Sequence, residues 1–248
     1  MHRFYLALEN WNPDALVLSE TEAHHCRNVL RLDGGDKVVV FDGRGRELTG
    51  EITSSTSSEI RLRKLHEAQT PPLRCHITLG QAIPKGKNMD LIVQKAVEIG
   101  AAEIAPIISD RTVVRLDEES AASKQSKWQT VAIEAAKQCG QNWLPRVHVA
   151  QTMSQFFQHS RRFDLQLIGS LQSDAVHLKK ILSEYSAEHG DRPASVLMLV
   201  GPEGDFTPAE LSLARSHGCR PITLGPIVLR VETASIYCLS ILSYELLV

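Results

Sequence analysis

The cysteine pattern excludes two common devices that hold small proteins together. Only five cysteines occur among 248 residues, and no two of them form a CxxC pair. Disulfide frameworks need an even set of closely spaced cysteines, and structural zinc sites need paired ligands, so neither is expected here. His24, His25 and Cys26 have no second ligand pair, and we expect a helix surface there and no metal. The thiols should stay reduced, as in a cytoplasmic protein.

The sequence also lacks an excess of positive charge and any long apolar run. Lys and Arg number 27 against 29 Asp and Glu, which gives a net charge of −2. Proteins that coat nucleic acid without specificity are clearly basic, so any RNA binding must be local and directed by shape. No stretch approaches the roughly 18 apolar residues of a membrane span, and the N-terminus has no signal core. We therefore expect a cytoplasmic protein with no membrane partner.

Three familiar catalytic motifs are missing. No GxGxxG dinucleotide fingerprint and no GxSxG nucleophile elbow occurs in the sequence. Residues 80–88 approach a phosphate-binding P-loop, but five residues separate the glycines and Asn88 replaces the hydroxyl residue. A nucleotide hydrolase is thus disfavoured, and a test of ATP turnover would detect one.

The first seventy residues have a sequence pattern typical of a small β domain. Turn sequences at residues 33–36 and 42–45 separate β-rich runs in which apolar and polar residues alternate. We predict strands over 3–8, 37–41, 47–53 and 59–65, and one helix over 21–30. This pattern indicates a small β-barrel whose strands have one buried face and one solvent-exposed face. Thr70-Pro71-Pro72 interrupts regular structure, and we place the end of a first domain, residues 1–70, there.

Residues 73–248 change to alternating strands and helices. Apolar runs predict strands over 76–82, 104–108, 147–150, 165–169, 195–200 and 221–224. Helical spacing predicts helices over 88–99, 120–139 and 232–247. A further helix is predicted to begin at Thr207, Pro208 and Glu210, which form a capping box with proline in the first turn, and to end at Gly218. This alternation predicts a parallel sheet with helices on both faces, which is an α/β fold.

Two glycine-containing loops follow predicted strands of this domain. The first is residues 201–206 and the second is residues 224–234, and they carry Glu203, Arg230 and Glu232. Ligands of open α/β sheets bind at the ends of strands, and glycine lets a ligand approach the backbone closely. The alternative is that both loops are simply tight turns between a strand and a helix.

At these loops the sequence resembles a known family. Gly201-Pro202-Glu203-Gly204 with Phe206, and Leu224-Gly225 followed by Leu229-Arg230 and Glu232-Thr233-Ala234, resemble the bacterial 16S ribosomal RNA uracil-N3 methyltransferases (RsmE-like) of the SPOUT superfamily. The resemblance extends along most of the chain, through Arg3-Phe4, His24, Val29-Leu30-Arg31, Gly35-Asp36, Asp42-Gly43, Gln94-Lys95-Ala96, Glu98, Gly100, Pro106, Arg111, Glu134-Ala135-Ala136, Gln138 and Pro145. Two positions depart from it: the family often has glycine where Asp205 stands and arginine where Gln141 stands.

The resemblance implies a fold, a cofactor and partners. It implies a knotted α/β methyltransferase domain over residues 73–248 and a PUA-like, RNA-binding β-barrel over residues 1–70. The cofactor would be S-adenosylmethionine, with no metal, and the substrate a uridine of 16S ribosomal RNA in the assembled small subunit. Members of the family are homodimers with the site near the subunit interface. Arg146 could then take over the role of the missing arginine at 141.

The resemblance also indicates which residues carry the chemistry. We predict that Arg230 stabilises negative charge on the base, and that Glu203 or Glu232 accepts a proton or orients Arg230. Glu232 could equally serve only to cap a helix, because a carboxylate is favourable at a helix N-terminus. The predicted cofactor contacts are Leu199, Val200, Gly201, Glu203, Gly204, Leu224, Gly225, Pro226, Val228, Leu229 and Thr233. The predicted RNA contacts are Arg3, Arg27, Arg31, Lys85, Lys87 and Arg111.

Two other functions remain open on the sequence alone. The same scaffold could methylate a ribose hydroxyl or a purine nitrogen, which nucleoside analysis would distinguish. The protein could also be an RNA-binding factor for ribosome assembly whose cofactor site is inactive. Tight RNA binding without cofactor binding would favour that second function.

Overall fold

The chain is built from two compact units. The computed structural model describes residues 1–12, 15–56, 58–112 and 117–247. The first unit comprises Met1–Pro72 with Ile133–Leu144, and the second comprises Leu73–Ala132 with Pro145–Val248. Among the residues so described, no helix is long and apolar enough to cross a membrane.

The first unit contains a curled five-stranded sheet. Its elements are β1 (His2–Tyr5), β2 (Leu16–Ser19), α1 (Glu20–His24), β3 (Lys37–Phe41), β4 (Arg46–Ser55) and β5 (Glu59–Gln69). The strand order is β1-β3-β4-β5-β2, in which β1 and β3 are parallel and the other pairs are antiparallel. Two register shifts interrupt the pairing of β4 with β5, after Thr49 and after Ile52. Such bulges bend a strand and increase its twist.

Strands β3 and β4 supply much of the core of the first unit. Val38, Val40, Leu48 and Ile52 are fully or almost fully buried, and Phe4 packs with them. Strand β4 is buried at alternate residues from Leu48 to Ile52, as the sequence pattern predicts, whereas β3 is buried continuously from Val38 to Phe41. Strand β2 was not predicted, and α1 ends at His24, where the chain continues as one π-helical turn, His25–Val29. The predicted strand over 3–8 ends at Tyr5.

The second unit contains an eight-stranded parallel sheet. Its strands are β6 (His76–Ala82), β7 (Glu103–Ile108), β8 (Arg146–Val147), β9 (Gln151–Thr152), β10 (Leu165–Gly169), β11 (Val176–His177), β12 (Ser195–Val200) and β13 (Arg220–Thr223). The helices are α2 (Asn88–Ile99), α3 (Glu118–Cys139), which ends in the segment grouped with the first unit, α4 (Met153–His159), α5 (Leu178–His189), α6 (Pro208–Ser216) and α7 (Val231–Leu246). The strand order is β11-β13-β10-β12-β6-β7-β8, and β9 also pairs with β7.

The predicted α/β fold is confirmed. Strand β12 lies between β10 and β6 and is buried from Val196 to Val200, as its continuous apolar run predicts. Helix α2 ends at Gly100, whose φ of 97° is left-handed, and α6 begins with the predicted capping box of Thr207 and Glu210. The knotted course of the chain, which the resemblance implies, stays a prediction.

The prediction of one strand over 147–150 is wrong. Two short strands, β8 and β9, stand there instead, and both pair with β7. Val147 pairs with Ile104, whereas Gln151 pairs with Ile107, so this edge segment carries one more residue than β7 between the two pairings. The additional residue breaks the ladder, as it does in a bulge.

A carboxylate held by two histidines joins the starts of β6 and β7 to β8. Glu103 Oε2 lies 3.0 Å from His148 Nε2, and Glu103 Oε1 lies 3.1 Å from His76 Nε2. The hydrogen bonds from His148 and then His76 lower the pKa of Glu103 against the opposing effect of burial. A carboxyl whose pKa is lowered by folding contributes stability above its ordinary pKa and loses it as the pH falls through the folded-state value.

Substitution Glu103→Gln should therefore destabilise the second unit at neutral pH. The amide accepts these hydrogen bonds less strongly than a carboxylate, and we expect a loss of about 1–3 kcal/mol in the free energy of unfolding. Urea unfolding at pH 7 and in acid would measure the loss in the free energy of unfolding. This loss should become smaller as the pH falls below the ordinary pKa of glutamate. Glu98→Gln, whose carboxylate is similarly exposed but pairs with Lys95 three residues away on the same helix, is the matched control. Equal effects of the two variants, or a loss independent of pH, would contradict the assignment.

Candidate functional site

A cavity of about 720 Å³ lies at the carboxyl ends of three adjacent strands. Strands β12, β10 and β13 are neighbours and are all parallel, so the loops that follow them leave the same edge of the sheet. Residues from each of these loops line the cavity. This is the edge at which open α/β sheets bind ligands.

The loop after β12 is rigid and turns sharply. The Asp205 amide donates to Pro202 O at 2.9 Å, and Asp205 Oδ1 accepts from the Phe206 amide at 2.8 Å. Asp205 has a φ of 63°, a left-handed conformation that aspartate tolerates better than most side chains. Phe206 is buried in the core of the second unit. The loop is thus fixed at its far end by a core residue.

Residues that follow β7 contact the loop after β12 and the start of α6. Glu210 is buried, and its carboxylate accepts from the Asp110 amide at 3.0 Å and from the Thr207 amide at 2.8 Å. The Arg111 guanidinium donates to Gly204 O. Both interactions bind residues 204–207 to the segment after β7. The wall of the cavity is therefore held in place before any ligand binds.

The loop after β13 contributes an apolar and exposed surface. Ile227 and Val228 are 75% and 74% exposed, although both are large apolar side chains. Gly225 has a φ of 110°, and nothing lies within 4 Å of the position that a Cβ would occupy. Only the backbone conformation, and not a steric clash, thus requires glycine here.

The loop after β10 completes the cavity and was missed by the sequence analysis. Gly169, Ser170, Leu171 and Gln172 line it. The Ser170 amide donates to Ile222 O at 3.0 Å, and Ser170 Oγ accepts from the Gln172 amide at 3.2 Å. Gly169 ends a strand that the sequence did predict. The rule that placed the other two loops at strand ends would have found this third loop as well.

Three ionisable side chains at the cavity differ in their partners. Glu203 Oε1 accepts from the Lys85 amide at 2.9 Å, and Glu232 Oε2 accepts from Asn88 Nδ2 at 3.3 Å. Arg230 precedes α7 as its N-cap, and its exposed side chain makes no hydrogen bond or ion pair with any residue the structure describes. A guanidinium without a protein partner is available to a ligand.

The buried cysteine thiols are poorly suited to act as nucleophiles or as metal ligands. Burial raises the pKa values of Cys75, Cys219 and Cys238 to about 12, with a further contribution from Asp164 at Cys75. A neutral thiol is a poor nucleophile and a poor metal ligand. All five cysteines are free, as predicted. Within the described ranges, no group of three or more His, Cys, Asp and Glu side chains could hold a metal ion.

The structure brings most of the predicted cofactor-site residues together. The predicted residues that line the cavity are Val200, Gly201, Glu203, Leu224, Gly225, Pro226, Val228, Leu229, Arg230 and Glu232. Leu199, Gly204 and Thr233 lie outside the lining: Leu199 is buried in the core, and Gly204 and Thr233 are exposed. Leu171, Ile227 and Asn88 line the cavity and were not predicted.

The predicted RNA contacts fall into two groups. Arg27, Arg31, Lys85 and Lys87 are exposed, and so is Arg111, whose guanidinium also contacts Gly204. Arg3 is different, because its side chain is only 14% exposed and forms an ion pair with Glu47 at 2.8 Å. It also donates to Asn142 Oδ1, and its guanidinium lies 5.1 Å from the centre of the Phe41 ring. These contacts give Arg3 a structural role within the first unit.

The fold and the cavity define an α/β protein that binds a ligand at the carboxyl ends of parallel strands. A family model described as an RNA methyltransferase domain matches residues 71–243, and one described as an RNA methyltransferase PUA domain matches residues 18–65. The chain belongs to this RNA methyltransferase family.

Individual relatives agree over almost the full length. The ribosomal RNA small subunit methyltransferase E of Bacillus subtilis is 32% identical over 99% of this chain and 97% of its own. A methyltransferase of Legionella pneumophila, solved with bound S-adenosylmethionine, is 32% identical with a TM-score of 0.86, over 98% of this chain and 97% of its own. The ribosomal RNA small subunit methyltransferase E of Neisseria gonorrhoeae, also bound to S-adenosylmethionine, is 31% identical with a TM-score of 0.86, over 99% and 98%.

Proposed function

We propose that this protein transfers the methyl group of S-adenosylmethionine to N3 of a uridine in 16S ribosomal RNA. The observation that carries the proposal is the cavity at three strand ends, in a chain of the RNA methyltransferase family. It contains the carboxylates of Glu203 and Glu232, and Arg230, whose side chain has no partner among the described residues. Relatives over nearly the whole length are ribosomal RNA small subunit methyltransferases, and two solved relatives hold S-adenosylmethionine.

The cavity suits this cofactor in size and in chemistry. Its volume of about 720 Å³ falls within the range of about 300–1,000 Å³ typical of sites for small molecules. Leu171, Ile227 and Val228 offer apolar surface for an adenine ring, and they are unusually exposed for residues of their type. Backbone groups of residues 169–172, 200–203 and 224–229 offer hydrogen bonds. We propose that these three segments hold the cofactor.

The protein's contribution is to bind, to orient and to manage one proton. When bound, S-adenosylmethionine supplies the methyl group: uracil N3 bonds to the methyl carbon, and the carbon–sulfur bond breaks with its electron pair left on sulfur. Uracil N3 carries a proton and is a poor nucleophile until that proton leaves. As it leaves, negative charge spreads to the flanking carbonyl oxygens. Arg230 stabilises that charge with its guanidinium.

Glu232 is the better candidate to receive the N3 proton. Glu203 is exposed, and its Oε1 is engaged by the backbone amide of Lys85. Glu232 is half-buried, lies two residues after Arg230 in the first turn of α7, and lines the cavity. A carboxylate that faces the same cavity as the guanidinium can accept a proton where the guanidinium stabilises charge. Glu203 would instead hold the loop after β12 in place.

RNA binding would rely on exposed cations. We propose that Lys85, Lys87 and Arg111 contact RNA beside the cavity, and that Arg27 and Arg31 do so on the PUA-like unit. Arg3 would stabilise the PUA-like unit through its ion pair with Glu47 and would not contact RNA. N3 lies on the Watson–Crick edge of uracil, so the target base must be unpaired or flipped out of its helix. With a net charge of −2, affinity must come from such local patches.

We further propose a homodimer that acts on the assembled small subunit in the cytoplasm. Helix α7 exposes two large side chains, Tyr237 and Tyr244, at 42% and 76%. Exposed aromatic residues of this kind are enriched at interfaces between proteins. Light scattering after size-exclusion chromatography would give the mass. A monomer that methylates RNA at full rate would contradict the dimer and leave the reaction intact.

Substitution Gly225→Ala should weaken cofactor binding at least about tenfold. Any side chain disfavours a φ of 110°, with strain of about 1–3 kcal/mol, so the loop should leave the conformation that shapes the cavity. Calorimetric titration with S-adenosylmethionine would measure the change. Gly190→Ala is a matched control, because Gly190 also has a positive φ of 73° with open space around it but ends α5, away from the cavity. Equal weakening by both variants would contradict the assigned role of the loop.

A methyl-transfer assay tests the reaction and the form of its substrate. Small subunits that lack the modification and naked 16S RNA would each be incubated with the protein and labelled S-adenosylmethionine. We expect label in the RNA, with the assembled subunit preferred, because a two-unit enzyme that recognises shape needs a folded surface. Label in naked RNA alone would overturn the preferred substrate. No label in either, with RNA bound tightly and cofactor not bound, would identify an RNA-binding factor.

A further inference from the structure

The short segment from Lys85 to Asn88, which leads from β6 into α2, contacts two of the three carboxylates that line the cavity. The Lys85 amide donates to Glu203 Oε1 at 2.9 Å, and Asn88 Nδ2 donates to Glu232 Oε2 at 3.3 Å. Glu203 follows β12 and Glu232 lies in α7, so a single short segment holds groups from two different parts of the second unit. Asn88 also lines the cavity itself.

The base of this arrangement is fixed in the core. The Ile83 amide donates to Ile107 O at 3.0 Å, which ties the start of the loop to β7. Gln81 and Ser235 are completely buried, and Ser235 Oγ lies within hydrogen-bond distance of Gln81 Oε1 and of Val231 O. The end of β6 and the first turns of α7 are thereby joined. Glu232 thus lies one turn before a residue of α7 that is hydrogen-bonded to the strand preceding the Asn88 segment.

The two carboxylates are held by donors of different kinds. Glu203 is held by a backbone amide, which no side-chain substitution removes. Glu232 is held by the neutral amide of Asn88, which fixes Oε2 without neutralising the charge. Glu232 Oε1 has no hydrogen-bond partner among the residues described. That oxygen is the one left to receive a proton from a substrate.

We propose that Asn88 is a positioning residue, whose amide fixes Glu232 so that its second oxygen can accept the N3 proton. The proposal rests on the function proposed above and assigns a role that the side chain exerts only through Glu232. The Asn88 amide donates to Oε2 and leaves Oε1 for the substrate proton, so Asn88 directs the proton acceptor without neutralising its charge.

The helix itself does not need Asn88. The residue is the first of α2, and its side chain makes no capping hydrogen bond to the backbone. Alanine is at least as good a helix former at this position. The Asn88→Ala variant should therefore fold normally and bind S-adenosylmethionine as the native protein does.

The test is how kcat and KM of methyl transfer respond in a set of variants. We expect Asn88→Ala to lower kcat about tenfold with unchanged KM values for S-adenosylmethionine and RNA, since only the orientation of Glu232 is lost. Asn88→Asp should lower kcat further, because a carboxylate cannot donate the hydrogen bond and places a like charge beside Glu232. The other ionisable groups that line the cavity, Arg230, Glu203 and Asp205, and the neighbours Lys87 and Asp90 are unchanged throughout.

Two further variants separate positioning from structural damage. Gln94→Ala, at an exposed position of the same helix, should leave both kcat and KM unchanged. In a Glu232→Gln background, Asn88→Ala should cause no additional loss of kcat, because the residue acts through Glu232. A lower kcat accompanied by raised KM values, or an additional loss in that background, would overturn the proposal.

The outcome also separates this proposal from the function on which it rests. If the native protein labels a nucleoside other than 3-methyluridine, the proposed N3 specificity fails, and the comparison of kcat in the native and Glu232→Gln backgrounds still decides the role of Asn88. If native protein transfers no methyl group to RNA, both proposals fail together.

Discussion

Substitution Arg230→Ala should reduce the rate of methyl transfer by about 100-fold or more, while S-adenosylmethionine still binds. Removing one donor that stabilises developing negative charge typically costs about 10²–10³ in kcat. Arg230 is suited to this role because its exposed guanidinium lines the cavity and has no partner in the described part of the chain. Single-turnover transfer to the small subunit, with calorimetry for cofactor affinity, would separate the chemical step from binding.

Arg162→Ala is the control for a general loss of positive charge. Arg162 is an exposed arginine of the same unit, and it does not line the cavity. Its removal should leave the single-turnover rate within about twofold of native, because surface charges at a distance are screened. If Arg230→Ala transferred methyl groups at the native rate with cofactor binding intact, the assigned role of Arg230 would be wrong.

Substitution Glu232→Gln should lower kcat by about 10²–10⁴, the usual contribution of a positioned proton acceptor. The amide has nearly the same shape and can still accept the hydrogen bond from Asn88, so the fold should survive. The loss should hold across the pH range, because the amide cannot accept the substrate proton at any pH. Measurement of kcat between acid and alkaline pH would show both effects.

Two comparisons test whether the effect belongs to Glu232. Glu245→Gln, near the other end of α7, should change neither rate nor profile, because that residue does not line the cavity. Glu203→Gln should cost much less than Glu232→Gln, since its amide oxygen can still accept from the Lys85 backbone. If Glu203→Gln lowered kcat more than Glu232→Gln does, Glu203 would be the proton acceptor and Glu232 would not.

The regular elements of the second unit follow from the pattern of apolar residues. Four predicted elements have the observed bounds: β6, α2, β10 and β12. Each has a clear period or a continuous apolar run, and a glycine at or just after the end of α2 and β10 gives the boundary. The edge segment β8–β9 was predicted poorly, because the additional residue between its two pairings leaves no trace in hydrophobicity. Pairing across a sheet is a tertiary effect that a single sequence does not encode locally.

The candidate site could be predicted in part. Loops with several glycines and charges, at 201–206 and 224–234, were visible in the sequence. The loop at 169–172 follows a correctly predicted strand and could have been placed by the same rule, but Leu171 and Gln172 carry no chemical signal of their own. They line the cavity because β10 lies between β12 and β13. Arg3 shows the opposite error, because an arginine near the N-terminus looks exposed in the sequence but forms a half-buried ion pair.

The departure at Asp205 has a simple geometric explanation. Its φ of 63° is a conformation that glycine adopts freely, which accounts for the glycine that the family often carries there. Aspartate tolerates it, and Asp205 Oδ1 also accepts a hydrogen bond from the Phe206 amide. The turn is therefore kept with a different residue. The other departure, Gln141, accepts from the Trp143 amide at 3.2 Å within the first unit.

The identity of the methylated nucleoside is the most direct test of the account. Small subunits that lack the modification would be labelled with S-adenosylmethionine and native protein, and their RNA digested to nucleosides and separated. Label in 3-methyluridine that forms about 100-fold more slowly with Arg230→Ala and at nearly the native rate with Arg162→Ala is the predicted result. Label in another nucleoside, or label in 3-methyluridine that forms at the native rate with Arg230→Ala, would contradict the chemistry assigned to this cavity.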